Sequence, residues 1–297
     1  MIIGPGVFFG GGALRVTYSV HSMSAVNSAL QHMTRLEKER VDIQARIVTG
    51  LEVSTASDNG AIWALAQGMR ASNAGREEAL TSIDLVTGVV STALAAAEGV
   101  SDLMVEMQAK MVAATDTTLD ETSWRTLMDD FVALGNQAQR LVENASFNDL
   151  NLLEAGASDI SAIVSGDPNA QMTIAAEDLS DGGGIFDSQL GFTLPATDSS
   201  GMAARPDTAM VQAFEDSMSA VNASVSRLGV SLKTLDVQRT LLIKQIDETA
   251  SGIGNLIDAD LGREGARLEA MLVREELGMQ ALQIANQRPR TILQFFQ

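Results

Sequence analysis

The chain's two histidines, His21 and His32, are the side chains best suited to proton transfer or metal ligation near neutral pH, and eleven residues separate them. On one helix that spacing places them on the same side but roughly 16 Å apart along the axis, too far for a shared metal ion. Asp258-Ala-Asp260 brings two carboxylates together without the further oxygen ligands or the downstream Glu of a calcium loop, and helix capping accounts for it. Gly10-Gly-Gly12 and Gly182-Gly-Gly184 are followed by no Lys-Ser/Thr pair, so neither is a phosphate loop. Asp129 and Asp130 are adjacent on a helix and point in different directions. Without Cys there is no thiolate nucleophile, Cys-ligated metal or disulfide. No nucleophile, base and orienting group stand at a working spacing. The sequence therefore predicts no catalytic residue, no metal and no cofactor, and it does not read as an enzyme.

Any site would have to be positioned by long helices. The five prolines are Pro5, Pro168, Pro195, Pro206 and Pro289, leaving 6–167 and 207–288 free of a residue that costs about 3 kcal/mol inside a helix. The chain divides into a helical arm, an irregular middle and a second helical arm. Gly50 is placed to close a first helix, and Ser57 or Asp58 to cap a second over about 61–114, with Gly68, Gly75, Gly88 and Gly99 weakening its continuity. A third helix follows the turn at 116–120 and ends near Asn144. From Phe147 to about Asp207 the Gly, Pro and Ser punctuation predicts hairpins and loops. The second arm resumes near Asp207, is expected to break at Ser251-Gly-Ile-Gly-Asn255, and restarts with Asp258 or Asp260 as cap.

Both ends of the chain carry an apolar stripe. Val26, Leu30, Met33, Leu36, Ile43 and Ile47 recur at steps of three, four or seven, as do Leu261, Leu268, Leu272, Met279 and Leu282, with charged residues between them. Such spacing suits helices that pair along a narrow seam, and it equally suits helices that face their own core. The formal charge of −18, from 38 acidic and 20 basic residues, and the lack of a basic cluster exclude phosphate-backbone binding. The apolar runs of Met1–Leu14 are broken by Gly and Pro, no cleavable signal is legible, and no later stretch reads as a membrane span.

Three strings carry a family resemblance. Thr49-Gly-Leu-Glu-Val-Ser-Thr-Ala-Ser-Asp-Asn-Gly-Ala-Ile-Trp-Ala-Leu-Ala-Gln67 resembles the segment of bacterial flagellins where the terminal helix turns into the inner domain. Phe147-Asn-Asp-Leu-Asn-Leu-Leu153 is similar to the motif closing that domain's N-terminal half. Ile257-Asp-Ala-Asp-Leu261, Ala266-Arg-Leu268, Leu277-Gly-Met-Gln-Ala-Leu-Gln-Ile-Ala-Asn-Gln287 and Pro289 with Ile292 and Leu293 resemble the flagellin C-terminus. Flagellins of stalked and related alphaproteobacteria are the nearest in pattern.

The resemblance implies a mainly α fold: long antiparallel helices from both termini in a rod-like coiled-coil bundle, with a small irregular or β segment in the middle. It implies 19–55 with 256–297 as a terminal helical domain lining an inner tube, and 56–155 with 207–255 as a helical rod domain of an outer tube. Residues 156–206 would form a short exposed variable segment, and 1–18 a disordered extension or a misplaced start. The function implied is a filament subunit for swimming motility, exported unfolded and polymerised outside the cell. Its partners would be itself, other flagellins, the export apparatus, an export chaperone, and the cap and junction proteins, with no nucleic acid and no membrane. The stripe residues above, with Ile292 and Leu293, would carry self-assembly. A hook–filament junction protein or a cytoplasmic coiled-coil regulator are the alternatives. Asp149 stands where the family usually has Gly, so a difference in the detail of that turn is expected.

Overall fold

A computed structural model describes the backbone over residues 19–180 and 205–294, and side chains over 27–180 and 205–283. The expectations for 1–18 and for most of the second half of the variable segment lie outside these residues, as do the side chains of His21, Val26, Ile292 and Leu293. The described helices are α1 Ser19–Thr49, α2 Gly60–Ala114, α3 Glu121–Glu143, α4 Thr208–Ile257 and α5 Leu261–Gln294. Between α3 and α4 lie two hairpins, β1 Ser146–Phe147 with β2 Leu150–Asn151, and β3 Ile160–Ile163 with β4 Gln171–Ile174. The chain divides into two compact units, one made of residues up to Gln67 with those from Ile253, the other of Gly68–Gly252.

Helix ends follow local chemistry. α1 stops where Gly50 turns to φ 71° and donates its N–H to the Arg46 carbonyl at 2.8 Å. The cap of α2 is Asn59, whose Oδ1 accepts the Ile62 N–H at 3.2 Å, and neither Ser57 nor Asp58 as the sequence suggested. Asp58 is occupied by the preceding turn, where its carboxylate accepts the N–H groups of Ser54 at 3.0 Å and Thr55 at 2.8 Å. Asp120 caps α3 through the Ser123 N–H, and Asp260 caps α5 through the Arg263 N–H at 3.0 Å.

Two further expectations are corrected. The second arm has no break at 251–255, because α4 runs to Ile257 and the chain turns at 258–260. The Gly252 α-carbon lies where a Cβ would sit 3.1 Å from Met69 Cε, so that glycine serves packing and not termination. α2 is also long and apolar enough, by length and composition, to cross a membrane, contrary to the reading that no such segment exists. Its small-residue face, Ala79, Ala93 and Ala97, is buried in the core, while most of the apolar stretch is not.

The core of the Gly68–Gly252 unit stacks α2 (Ile83, Met104, Met107, Met111), α3 (Met128, Phe131) and α4 (Phe214, Val221, Leu228, Leu235), with Leu152, Leu153 and Ala162 from the hairpin region. Gly75 and Gly88 are what let α2 pass close beneath the hairpins. A Cβ on Gly88 would stand 2.9 Å from the Phe147 ring, and one on Gly75 would stand 3.2 Å from the Gly166 backbone. Polar ties join the same elements. The Ile163 N–H donates to Ser82 Oγ at 3.0 Å, and the Arg227 guanidinium holds buried Glu177 through both carboxylate oxygens. Arg205 donates to the carbonyls of Asp116 and Leu119 at 2.5 and 2.6 Å, lying over the Trp124 ring.

The turn at Asp149 is a two-residue hairpin loop in which Asn148 and Asp149 both have positive φ, 52° and 60°. The left-handed geometry is therefore kept, with a residue less suited to it than Gly. Asp149→Gly should raise stability by about 1 kcal/mol, read from a urea midpoint; no gain, or a loss, would show that the carboxylate supports the turn.

Candidate assembly surface

In the unit that joins both ends of the chain, α1 and α5 run antiparallel. Met33 meets Gly278, whose Cβ would stand 2.7 Å from the Met33 sulfur, and Arg40 reaches Glu275 at 3.7 Å, while Ile43 and Arg46 share a groove with Arg267 and Met271. The buried and half-buried positions are 29, 33, 36, 40, 43, 46 and 47 on α1, and 264, 265, 268, 271, 275, 278 and 282 on α5; apart from 46 and 265, they follow steps of three and four. Alternating steps of three and four are the period of a coiled-coil seam. Its apolar centre is Leu36, Ile43 and Met271, with Met33, Ile47 and Leu268 packed on them. A second small cluster, Val53, Ala66 and Ile257, ties the loop after α1 to the end of α4, where the Glu52 N–H donates to the Ile257 carbonyl at 2.7 Å.

The stripes read from sequence thus fall in two places. Met33, Leu36, Ile43, Ile47 and Leu268 lie in the seam, and Leu282 is half-buried at its far end. Leu30, Leu261, Leu272 and Met279 are about half exposed, on the flanks of the seam and outside its buried cluster. Met271 is the seam residue that sequence reasoning missed. Leu268 can be followed by a step of three to Met271 or of four to Leu272, and only the first keeps the alternation of four and three from 264 through 275 and 278. With Val41 and Val48 on α1 and Val273 and Leu277 on α5 also exposed, the helix pair keeps a large apolar surface after its seam is filled.

Charged groups surround that surface. A groove of about 420 Å³ between the helices is lined by Glu39, Asp42, Arg46, Arg267 and Arg274 beside Ile43 and Met271. The two signs nearly cancel, so the groove selects for no simple ion and suits a surface that is itself of mixed charge. Arg40 bonds Glu37 as well as facing Glu275. Buried Glu264 pairs with Arg267 through one oxygen, and its other oxygen has no hydrogen-bond partner among the described residues.

Three turn carboxylates have depressed pKa values. Asp58 is held down first by the Thr55 N–H and then by the Ser54 hydroxyl, Asp116 by the Thr118 N–H and hydroxyl, and Asp120 by hydrogen bonds from the Ser123 side chain and N–H. A carboxyl with a lowered folded-state pKa contributes stability above its unfolded value, near 4, and loses it as pH falls through the folded value. The melting temperature should therefore be level above about pH 5 and fall below about pH 4, with a shallower fall in Asp58→Asn. An acid limb unchanged in that variant would remove Asp58 from the account.

The chain matches two family models, the bacterial flagellin N-terminal helical region over residues 20–158 and the C-terminal helical region over 211–296. It is 36% identical to flagellin FljJ and 34% identical to flagellin FljM, both of Caulobacter vibrioides, each alignment covering 94% of this chain and 98% of the relative. A flagellin of Brucella melitensis is 29% identical over 94% of this chain and 99% of its own length.

Proposed function

Because the chain belongs to the bacterial flagellin family and is a structural subunit of the extracellular flagellar filament, we propose that its parts divide the work of assembly. Residues 19–55 with 256–297 line an inner tube, 56–155 with 207–255 form an outer tube, and 156–206 face outward. The observation that carries this reading is the second apolar face on α1 and α5, left exposed although the seam between the two helices is filled. A helix pair that only stabilised its own subunit would carry polar residues at Leu30, Leu261, Leu272 and Met279. The self-assembly residues are accordingly the seam set, which orders the pair, and the exposed set, which meets other copies; Val26, Ile292 and Leu293 extend the two stripes in sequence.

The same reading assigns no catalysis, metal or cofactor. The subunit leaves the cell unfolded through the flagellar export apparatus, escorted by a chaperone, and adds beneath a cap. A Cys-free chain whose terminal helix pair holds a small core suits that route. Electron microscopy of the purified full chain tests the central statement. Long filaments are expected; short rings of fixed length would favour a junction adaptor, and a monodisperse species at millimolar concentration would overturn the assembly reading.

A further inference from the structure

We propose that neighbouring copies meet through two complementary helix faces of the Gly68–Gly252 unit, an acidic apolar face of α2 and a basic apolar face of α4, so that α4 of one copy docks on α2 of the next. This rests on the assembly reading above and adds to it a pairing of surfaces.

Segment 68–252 carries 27 acidic and only 10 basic residues, against 11 and 10 in the rest of the chain. Basic side chains are scarce in this unit, and most of them are engaged. Lys110, Arg125, Arg227 and Arg239 form ion pairs, while Arg76 and Arg205 are held by hydrogen bonds. The other four, Arg70, Arg140, Lys233 and Lys244, are exposed and form no ion pair among the described residues, and the two lysines lie on α4. Eleven residues apart, the lysines share one face of α4, which also carries Glu248 at its far end, with Asp236 and Asp247 along one flank. Val230, Val237 and Leu241 lie on that face, 64%, 60% and 45% exposed.

The counterpart is on α2. Glu98, Asp102 and Glu106 follow at steps of four, all exposed and unpartnered among the described residues. Like charges at that spacing destabilise a helix, so α2 itself gains nothing from the row. Val105 and Val112 lie along it, 58% and 51% exposed. On each face two valines stand seven residues apart, giving both the same repeat of roughly 10 Å. Two charged rows of opposite sign, each beside an apolar row of equal period, fit one another and do not fit themselves. A contact between unlike faces leaves a free face at each end of any pair, and it propagates into an open helical array wherever its rotation does not close a ring. The apolar rows supply burial, and the charges set orientation and exclude like-with-like docking.

Charge exchange tests the pairing. One full-length variant carries Lys233→Glu and Lys244→Glu, the other Asp102→Lys and Glu106→Lys. All four sites are exposed, so melting temperatures should match wild type. In a sedimentation assay at low salt each variant alone should show a critical concentration raised at least about tenfold, and an equimolar mixture should polymerise near the wild-type value, because each variant then offers the face the other lacks. Variants that polymerise alone like wild type, or a mixture no better than its components beside normal wild-type filaments, would overturn this pairing only. Failure of the wild-type chain to polymerise at all would overturn the assembly reading, and the pairing with it.

Discussion

Leu36→Asp should abolish filament formation, raising the critical concentration beyond about a hundredfold, while the same substitution at Leu272 should block assembly with the subunit's own helix pair intact. Leu36 is 7% exposed at the centre of a cluster whose other buried members, among the described residues, are Ile43 and Met271. Arg40, one turn on, is already shared by Glu37 and Glu275, so a carboxylate there has little to outweigh its desolvation, a cost of several kcal/mol. The pairing of α1 with α5 is then lost, and both helices, which hold little else, lose order with it. Leu272 is 48% exposed on the flank of the seam, outside its buried cluster, so a charge there leaves that cluster untouched. Far-ultraviolet circular dichroism separates the two cases: a fall in helicity is expected for Leu36→Asp and none for Leu272→Asp. In a Trp63→Phe background, the fluorescence of Trp124, buried in the other unit, should change in neither. Filaments from Leu36→Asp, or normal assembly by Leu272→Asp, would contradict the division of the stripes into an ordering seam and an outer contact face.

Phe131→Ala should lower the stability of the Gly68–Gly252 unit by about 3–5 kcal/mol, or about 10 °C in melting temperature. The ring is fully buried and its centroid lies 5.6 Å from that of Phe214 with the planes 60° apart, which joins α3 to α4 within one continuous core. Its methionine surroundings can shift to fill part of the space, which argues for the lower half of that range. Phe131→Leu should recover more than half of the loss. A decrease below about 1 kcal/mol for Phe131→Ala would mean the core closes around the gap and α3 is not fixed by this ring.

The helices themselves were legible because their signals are local. Proline placement marked the irregular middle but not the end of the second arm, since α5 continues through Pro289 to Gln294. Gly50 and Asp120 ended and started helices through their own conformational and hydrogen-bonding preferences, and the strings at 49–67, 147–153 and 257–261 span turns that short-range chemistry dictates. The misreadings at Asp58 and at 251–255 have one cause. A capping carboxylate and a helix-interior glycine each have two local uses, and the choice between them was made by contacts distant in sequence or by a competing turn. Asp58 was taken by the N–H groups of Ser54 and Thr55, leaving Asn59 to cap. Gly252 stayed inside α4, with the end of Met69 close to its Cα.

The stripes mark the same boundary more sharply. The sequence by itself determined that both ends of the chain are amphipathic helices with the flagellin pattern, since a periodicity of three and four is a property of one helix. Only the tertiary structure decided that Met271, and not Leu272, enters the seam, and that Leu261, Leu272 and Met279 are left for another surface. Adjacent residues on a helix are separated by about 100° of rotation, so a one-residue choice sends a side chain either into a neighbour or out to solvent. The rotation of α5 about its axis is set jointly by Met33 against Gly278, Arg40 against Glu275 and Leu36 in the seam cluster with Met271, contacts that exist only once α1 is in place.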